Sequence, residues 1–210
     1  MKTLATISFT TFESPLGPML ATAERDALTG LYFIDQRYYP QRSEGWCENA
    51  EAQPFAALRE QLTGYFAGER RTFELPLDPD GGRGTPFQRS VWDAIYAVPL
   101  GSTITYSALA IACGHKPAVR AAGAATGRNP ISVIIPCHRI VGSDGSLTGY
   151  AGGLERKRTL LAFELAAASE NGSRPLASFV AATQKSTTTA RSPFASSGTE
   201  VTDATLPLPL

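Results

Sequence analysis

The chain has 210 residues, of which 43% are hydrophobic and 18% are charged, enough to bury the core of one large or two small domains. It has neither the apolar core of a signal peptide nor the run of about eighteen apolar residues that a membrane span requires. Its three cysteines, Cys47, Cys113 and Cys137, fit neither a disulfide framework nor a metal knuckle. We therefore expect a cytoplasmic protein without a membrane partner.

The formal net charge is zero, but the charge is unevenly distributed along the chain. Residues 1–83 carry 8 Lys or Arg against 12 Asp or Glu, whereas residues 84–165 carry 8 against 4. A basic second half is compatible with an anionic partner such as nucleic acid, although uneven surface charge is also common without one.

The N-terminal part reads as a small sheet followed by a helix. Short alternating segments at 6–13, 19–22 and 28–34 predict an antiparallel meander, with a turn at 14–18 and an irregular polar segment at 38–53. Residues 54–67 have one apolar face at helical spacing and precede Gly68, which predicts a helix that ends there. A possible last strand at 73–77 and a Gly-rich linker at 78–84 complete a predicted domain of residues 1–83.

The second half predicts short helices. Thr85 and Pro86 are typical of a helix start, and Thr105 can cap a second helix over 106–113. A third, Ala-rich helix begins near Pro117, so that helices two and three form a helix-turn-helix. A last helix over 155–168 ends a predicted domain of residues 84–168. Residues 169–210 are rich in Ser, Thr and Ala and are predicted to be a disordered tail.

An apolar run at 131–135 leads directly to a Pro-Cys-His-Arg motif at 136–139. We interpret this as a buried strand that carries a nucleophile, Cys137. A histidine beside a thiol can act as its base, but neighbours on a strand point to opposite faces, so contact with His138 requires a turn or a bridging water. Glu164 is a candidate to orient that histidine. The alternative for Cys137 is a buried, inert cysteine.

The motif, with Asn129-Pro130 before it, resembles the active-site signature of the O6-alkylguanine-DNA alkyltransferases. The resemblance extends from Thr-Pro-Phe-Gln at 85–88 to Glu164, and includes the Gly-Ser-Asp-Gly turn at 142–145 and Gly-Gly-Leu-Glu-Arg-Lys at 152–157. The chain resembles the bacterial single-protein members of that family in particular. This resemblance implies an α+β fold with a ribonuclease H-like N-terminal domain and a winged helix-turn-helix C-terminal domain. It further implies irreversible, single-turnover transfer of an alkyl group from O6-methylguanine, and from O4-methylthymine, in duplex DNA to the cysteine after base flipping.

The same resemblance implies a role for each matching residue. Cys137 would accept the alkyl group, His138 would act as base through a water with support from Glu164, Asn129 would hold the cysteine turn, and Tyr106 would donate a hydrogen bond to the leaving guanine. The residues expected to contact DNA in the minor groove are Arg120, Ala118, Ala121, Gly123 and Ala124. Those expected to contact the base are Tyr150, Ala151 and the carbonyls of Cys137 and Ile140.

Each assignment has a structural alternative from sequence alone. Tyr106 and Tyr150 could be packing residues, Arg120 a solvated helix charge, and Glu164 a surface residue paired with Lys157 or Arg158. Ala151 stands where some relatives carry a serine, so a contact there would come from its backbone N–H. With only His115 and His138 in the chain, the zinc site of some animal relatives cannot form, and we expect no metal or cofactor.

Three other functions compete with alkyl transfer. A non-catalytic binder of alkylated DNA would share the fold but lack the acceptor cysteine. A cysteine hydrolase would use Cys137, His138 and Glu164 but would leave Arg120 unexplained. A plain DNA-binding regulator would leave the Pro-Cys-His-Arg motif unexplained. Because stoichiometric repair requires no partner subunit, we expect a monomer.

Overall fold

A computed structural model of the chain describes residues 6–114, 118–169 and 175–180. Its N-terminal part is a four-stranded sheet in the order β3-β2-β1-β4, formed by Ile7–Phe12 (β1), Met19–Glu24 (β2), Ala27–Phe33 (β3) and Trp46–Glu48 (β4). The first three strands form the predicted antiparallel meander. The fourth strand, β4, lies within the segment predicted to be irregular and pairs parallel to β1, so the sheet is mixed.

The helix α1, Phe55–Ala67, packs its apolar face into the core and ends at Gly68 as predicted. Gly68 has a φ of 83°, the left-handed conformation that a glycine at a helix C-terminus adopts without strain. The predicted strand at 73–77 is wrong, because only Leu77 forms an isolated bridge, with Leu28. Pro76 lacks the N–H that a strand needs, and it contributes its carbonyl to the N–H of Leu28 instead.

The C-terminal part is mostly helical, as predicted. It consists of Pro86–Tyr96 (α2), Ile104–Thr105 (β5), Tyr106–Ala112 (α3), Val119–Gly127 (α4), a 3-10 helix at Cys137–Arg139, Ile140–Val141 (β6) and Leu154–Ala168 (α5). Thr85 caps α2 in a capping box with Gln88, and Thr105 caps α3. Of the turn predicted at 114–116, Gly114 is described and has a φ of 73°, whereas His115, Lys116 and the predicted helix start at Pro117 lie outside the described residues. None of the described helices has the length and apolar character to cross a membrane.

The edge of β3 supports the segment that leads to the cysteine. The N–H of Leu31 donates to the carbonyl of Pro130, and the N–H of Ser132 donates to the carbonyl of Leu31, each at 2.8 Å. Leu31 and Ile131 are both fully buried in the core that the two halves of the chain share. The N-terminal domain therefore fixes the position of the cysteine segment directly.

Residues 175–180, within the predicted disordered tail, depart from that expectation. Leu176 is fully buried, and its N–H donates to the carbonyl of Phe66 at the end of α1. The ring of Phe179 packs edge-on against Phe163 of α5, with centroids 5.9 Å apart. The prediction of disorder rested on the average composition of residues 169–210, which does not show that a few apolar residues lie close together at 176–180. The remaining predicted tail, 170–174 and 181–210, lies outside the described residues.

Candidate active site

The cysteine segment is buried as predicted, but it is not a strand. Residues 132–135 form consecutive turns, and Cys137 begins the 3-10 helix. Val133 has a φ of 73°, a conformation that is costly for a β-branched residue and that only surrounding structure can maintain. The chain thus turns at the cysteine, which removes the strand geometry that would place Cys137 and His138 on opposite faces.

The side chain of Asn129 holds this turn. Its amide nitrogen donates to the carbonyl of Ile135 at 2.7 Å and to the sulfur of Cys137 at 3.0 Å. Its amide oxygen accepts from the N–H of Ile131 at 3.0 Å. Asn129 is buried, so these bonds form without competition from solvent and link both ends of the turn to the thiol.

Two opposing effects set the acidity of the Cys137 thiol. Burial raises its pKa, because the thiolate is poorly solvated there. The hydrogen bond from Asn129 and the positive charge of Lys157 act in the opposite direction, as does the backbone N–H of Cys137. The net pKa is raised, so a reaction at neutral pH requires a base that removes the proton during attack.

His138 lies in a fully buried position and forms a pair with Glu164. Its Nε2 lies 2.9 Å from Oε1 of Glu164. Burial lowers the pKa of His138, and the Glu164 carboxylate only partly compensates. The imidazole is therefore neutral at pH 7 with Nε2 as the donor to Glu164, which leaves Nδ1 as an acceptor. No described residue donates to that Nδ1.

Glu164 is the centre of a buried polar network that sequence reasoning found only in part. Its carboxylate accepts from the hydroxyl of Tyr65 at 2.7 Å and from the guanidinium of Arg139 at 2.7 and 2.8 Å. Burial alone would raise the pKa of Glu164, but His138 and Arg139 hold it well below its ordinary value. The predicted alternative of a surface residue is wrong, because Glu164 is fully buried.

Sequence analysis did not place Arg139 or Tyr65 in this network, and only Arg139 has a sequence signal that indicates such a role. Arg139 also donates to the carbonyl of Val98 and stands in the conspicuous Pro-Cys-His-Arg motif. A buried arginine requires a carboxylate, and this rule could have paired it with Glu164. Tyr65 was recognised only as part of the apolar face of α1, and its hydroxyl has no local sequence signal.

Lys157 is a fully buried cation that sequence reasoning did not place at the site. Its Nζ donates to the carbonyl of Ile140 at 2.5 Å and to that of Thr148 at 2.7 Å. Burial lowers the pKa of Lys157 from 10.5 to about 8, against the influence of Cys137, which raises it. The side chain ties α5 to β6 and to the Gly-rich loop at 149–153, and it places a positive charge near the thiol.

Two tyrosines, Tyr106 and Tyr150, lie close to the buried polar residues of the site. The Tyr106 hydroxyl donates to the carbonyls of Thr148 and Gly149 at 3.4 and 3.3 Å, which are long bonds that a substrate can replace. The Tyr150 ring lies edge-on to His138 with centroids 6.4 Å apart, and its buried hydroxyl has no partner among the described residues. Gly152 must be a glycine, since a Cβ there would lie 2.7 Å from Tyr150 and 2.9 Å from Phe33.

The helix α4 presents an exposed face beside Tyr106. Arg120, Ala121 and Ala124 are exposed, and Ala118 and Gly123 are half-buried. Gly123 faces the Tyr106 ring, because a Cβ there would lie 3.7 Å from it. The opposite face of α4 packs inward, where the Ala125 carbonyl accepts from the indole N–H of Trp92. The residues predicted to contact DNA thus share α4 and its N-cap, with Gly123 against Tyr106. Ala151, predicted to contact the base, accepts through its carbonyl from the N–H of Arg37 at 2.9 Å.

Comparison with known proteins identifies the family. Residues 7–79 match the ribonuclease-like domain of 6-O-methylguanine DNA methyltransferase, and residues 86–166 match its DNA binding domain. A methylated-DNA–protein-cysteine methyltransferase of Mycolicibacterium paratuberculosis is 49% identical over 75% of this chain and 92% of its own length. The chain belongs to this family of O6-alkylguanine-DNA alkyltransferases. The constitutive methyltransferase of Bacillus subtilis is 41% identical over 69% of this chain and 86% of its own length.

Solved structures support the family assignment and the α+β fold. The crystal structure of Mycobacterium tuberculosis OGT in complex with DNA superposes with a TM-score of 0.74 at 39% identity, over 82% of this chain and 98% of that chain. An O6-methylguanine-DNA methyltransferase from Pyrococcus kodakaraensis superposes with a TM-score of 0.53 at 26% identity, over 76% of this chain and 99% of that chain.

Within the described residues, no three His, Cys, Asp or Glu side chains lie close enough together to hold a metal.

Proposed function

We propose that this protein repairs DNA by accepting the alkyl group of O6-alkylguanine on Cys137, once per molecule. The observation that carries the proposal is the hydrogen bond from Asn129 to the buried Cys137 sulfur, in the same 3-10 helix as His138 with its Glu164 partner. In the reaction, the bond between O6 and the alkyl carbon breaks and a C–S bond forms. A thioether has no easy return path, so the protein is consumed by the reaction.

The proton of the Cys137 thiol is taken by His138. Since Nε2 of His138 donates to Glu164, Nδ1 is the free acceptor, and a water molecule passes the thiol proton to it. Glu164 stabilises the imidazolium that forms. The raised pKa of Cys137 is consistent with this order of events, because the thiol keeps its proton until the alkyl group is in place.

The departing guanine is an anion and needs a donor. The hydroxyl of Tyr106 supplies one, by exchanging its long bonds to the Thr148 and Gly149 carbonyls for a bond to the base. The Tyr150 ring closes the pocket over the base, with the backbone of Ala151 beside it. The carbonyls of Cys137 and Ile140 accept from the exocyclic amine of guanine, each through its second lone pair.

The partner is duplex DNA that contains the lesion, bound in the minor groove by α4. The small residues Ala118, Ala121, Gly123 and Ala124 permit close approach, and Arg120 fills the gap that the flipped nucleotide leaves. Flipping costs a few kcal/mol, least for a poorly paired base, which favours O6-methylguanine and O4-methylthymine over normal bases. We place the reaction in the cytoplasm and assign it to a monomer.

Mass spectrometry after mixing with a duplex that contains O6-methylguanine tests the proposal. We expect the addition of one methyl group, saturating at one per molecule, on the peptide that contains Cys137. Cys137→Ala should gain no methyl group, while Cys113→Ala, which changes a half-buried cysteine elsewhere, should react as the wild type does. Repeated turnover would indicate a hydrolase, and methylation at Cys47 or Cys113 would contradict the proposed acceptor.

A second prediction concerns Arg120, which is exposed on α4. Because an inserted arginine acts only when a nucleotide leaves a helix, Arg120→Ala should slow repair of duplex DNA at least tenfold and leave the reaction with free O6-benzylguanine unchanged. The comparison of the two rate constants is the measurement. Equal losses with both substrates would remove Arg120 from the flipping step.

A further inference from the structure

An exposed tyrosine, Tyr38, has two arginines against its ring and lies beside the C-terminal end of α4. The guanidinium carbon of Arg37 lies 4.9 Å from the ring centroid of Tyr38, and that of Arg128 lies 5.2 Å from it. Tyr38 is 49% exposed and has a φ of 62°, which is uncommon and unfavourable for a bulky residue. We refer to these three residues as the Arg37–Tyr38–Arg128 cluster. An unfavourable backbone conformation at an exposed residue, where little burial compensates for it, is typical of functional sites.

The loop that carries Tyr38 is attached to the active-site segments. Gln36 is buried and accepts from the hydroxyl of Ser132, next to the cysteine turn. The N–H of Arg37 donates to the carbonyl of Ala151 in the Gly-rich loop at 2.9 Å. The Tyr38 ring then lies beside the end of α4, since a Cβ on Gly127 would lie 3.8 Å from it. The cluster thus bridges the N-terminal domain, the pocket loop and α4.

The two arginines of the cluster have no counter-charge among the residues that the structure describes. Neither guanidinium forms an ion pair within the described parts of the chain. The nearest carboxylate in sequence, Asp35, is paired with Arg156 at 2.9 Å, and this pairing lowers the pKa of Asp35. Both guanidinium groups lie within 5.2 Å of the same ring centroid, so their charges repel each other, and an anion bound near both would relieve the repulsion.

We propose that the Arg37–Tyr38–Arg128 cluster binds backbone phosphates of the DNA, extending the contact surface of α4 onto the N-terminal domain. Arg120, Ala124 and Arg128 follow one another at intervals of four residues, so the exposed stripe of α4 leads directly to the cluster. Stacking on Tyr38 limits the freedom of both guanidinium groups before DNA arrives. The inference rests on the proposed function, because it takes duplex DNA to be the partner.

The salt dependence of binding to a short unmodified duplex tests the cluster. Loss of one phosphate contact reduces the slope of log K against log salt concentration by about 0.9. We expect this reduction for Arg37→Gln and for Arg128→Gln, with the reaction of free O6-benzylguanine unchanged. Arg71→Gln, which removes an exposed charge in the loop after α1, should leave the slope as in the wild type.

Tyr38→Asn separates a binding role from a structural one. Asparagine tolerates the left-handed conformation better than tyrosine, so the melting temperature should stay the same or rise, whereas the affinity for the duplex should fall. An unchanged slope in both arginine variants, or a lower melting temperature with an unchanged affinity in Tyr38→Asn, would overturn the proposal. Methylation of Cys137 in the wild type is measured alongside, so failure of the cluster is distinguishable from failure of the repair function.

Discussion

Glu164→Gln will destabilise the protein by about 3–5 kcal/mol, the usual cost of removing one partner from a buried ion pair. The substitution preserves shape and leaves an acceptor for His138 and Tyr65. It removes the negative charge that balances Arg139, whose side chain is only 8% exposed. Since the whole protein is stable by about 5–15 kcal/mol, the loss is large, and urea denaturation at pH 7 measures it.

The pH dependence of the same contribution has a defined sign. The folded pKa of Glu164 lies below its ordinary value of 4.5, so the stabilisation is fully present above pH 4.5 and declines as the pH falls further. Glu164→Gln should therefore lose less stability than the wild type between pH 4.5 and pH 3. Equal losses in this window would show that the carboxylate is not held in its charged form by the fold.

Glu155→Gln is the matched control for Glu164→Gln. Glu155 lies on the same helix, α5, and forms an i,i+3 ion pair with Arg158, but its side chain is 66% exposed. Solvent screens such a pair, so the substitution should cost about 0.5 kcal/mol or less. If the two variants differed by less than about 1 kcal/mol, the buried network would not be the stabilising centre described above.

Lys157→Met will slow alkyl transfer by about tenfold or more, because it removes the charge that favours the Cys137 thiolate. It also leaves the Ile140 and Thr148 carbonyls without their donor. The rate constant with free O6-benzylguanine at pH 7 measures the effect without contributions from DNA binding. Arg158→Met, one residue further along α5 and partly exposed, is the control and should react as the wild type does.

The stability of Lys157→Met relative to the wild type should also change with pH. An unfolded lysine keeps its proton up to about pH 10.5, whereas folded Lys157 loses it at about pH 8. The wild type should therefore gain about 3 kcal/mol relative to the variant between pH 8 and pH 10.5. Because Lys157 and Cys137 influence each other's pKa, the comparison is made in a Cys137→Ala background, where the Lys157 titration is not coupled to the thiol. A flat difference would mean that Lys157 has an ordinary pKa.

Local sequence signals correctly predicted the features that depend on neighbouring residues. Thr85 and Thr105 cap their helices because a hydroxyl at that position satisfies an N–H two or three residues later. Gly68 ends α1 for an equally local reason. The strand β4 was missed, because its three residues acquire their conformation by pairing with β1, about forty residues earlier in the chain.

The cysteine turn shows why a buried run can mislead. The apolar residues 131–135 are typical of a core strand, and burial was predicted correctly. Their conformation is set by Asn129, which bonds across the turn, and by Leu31, which pairs with the segment from another domain. The apolar pattern of a segment predicts that it is buried, but it does not predict a backbone conformation that depends on hydrogen bonds from residues outside the segment.

The amino-acid sequence by itself determined the helix caps and indicated Cys137, His138 and Glu164 as site candidates, and the family resemblance added Asn129. Only the tertiary structure decided that Tyr65 and Arg139 complete the buried Glu164 network, that Lys157 bonds to the Ile140 carbonyl, and that Arg37 and Arg128 meet on Tyr38. The physical reason is the distance along the chain between the residues that interact. Caps and motifs depend on atoms a few residues apart, whereas a buried charge is matched by whichever partners the packed domains bring to it.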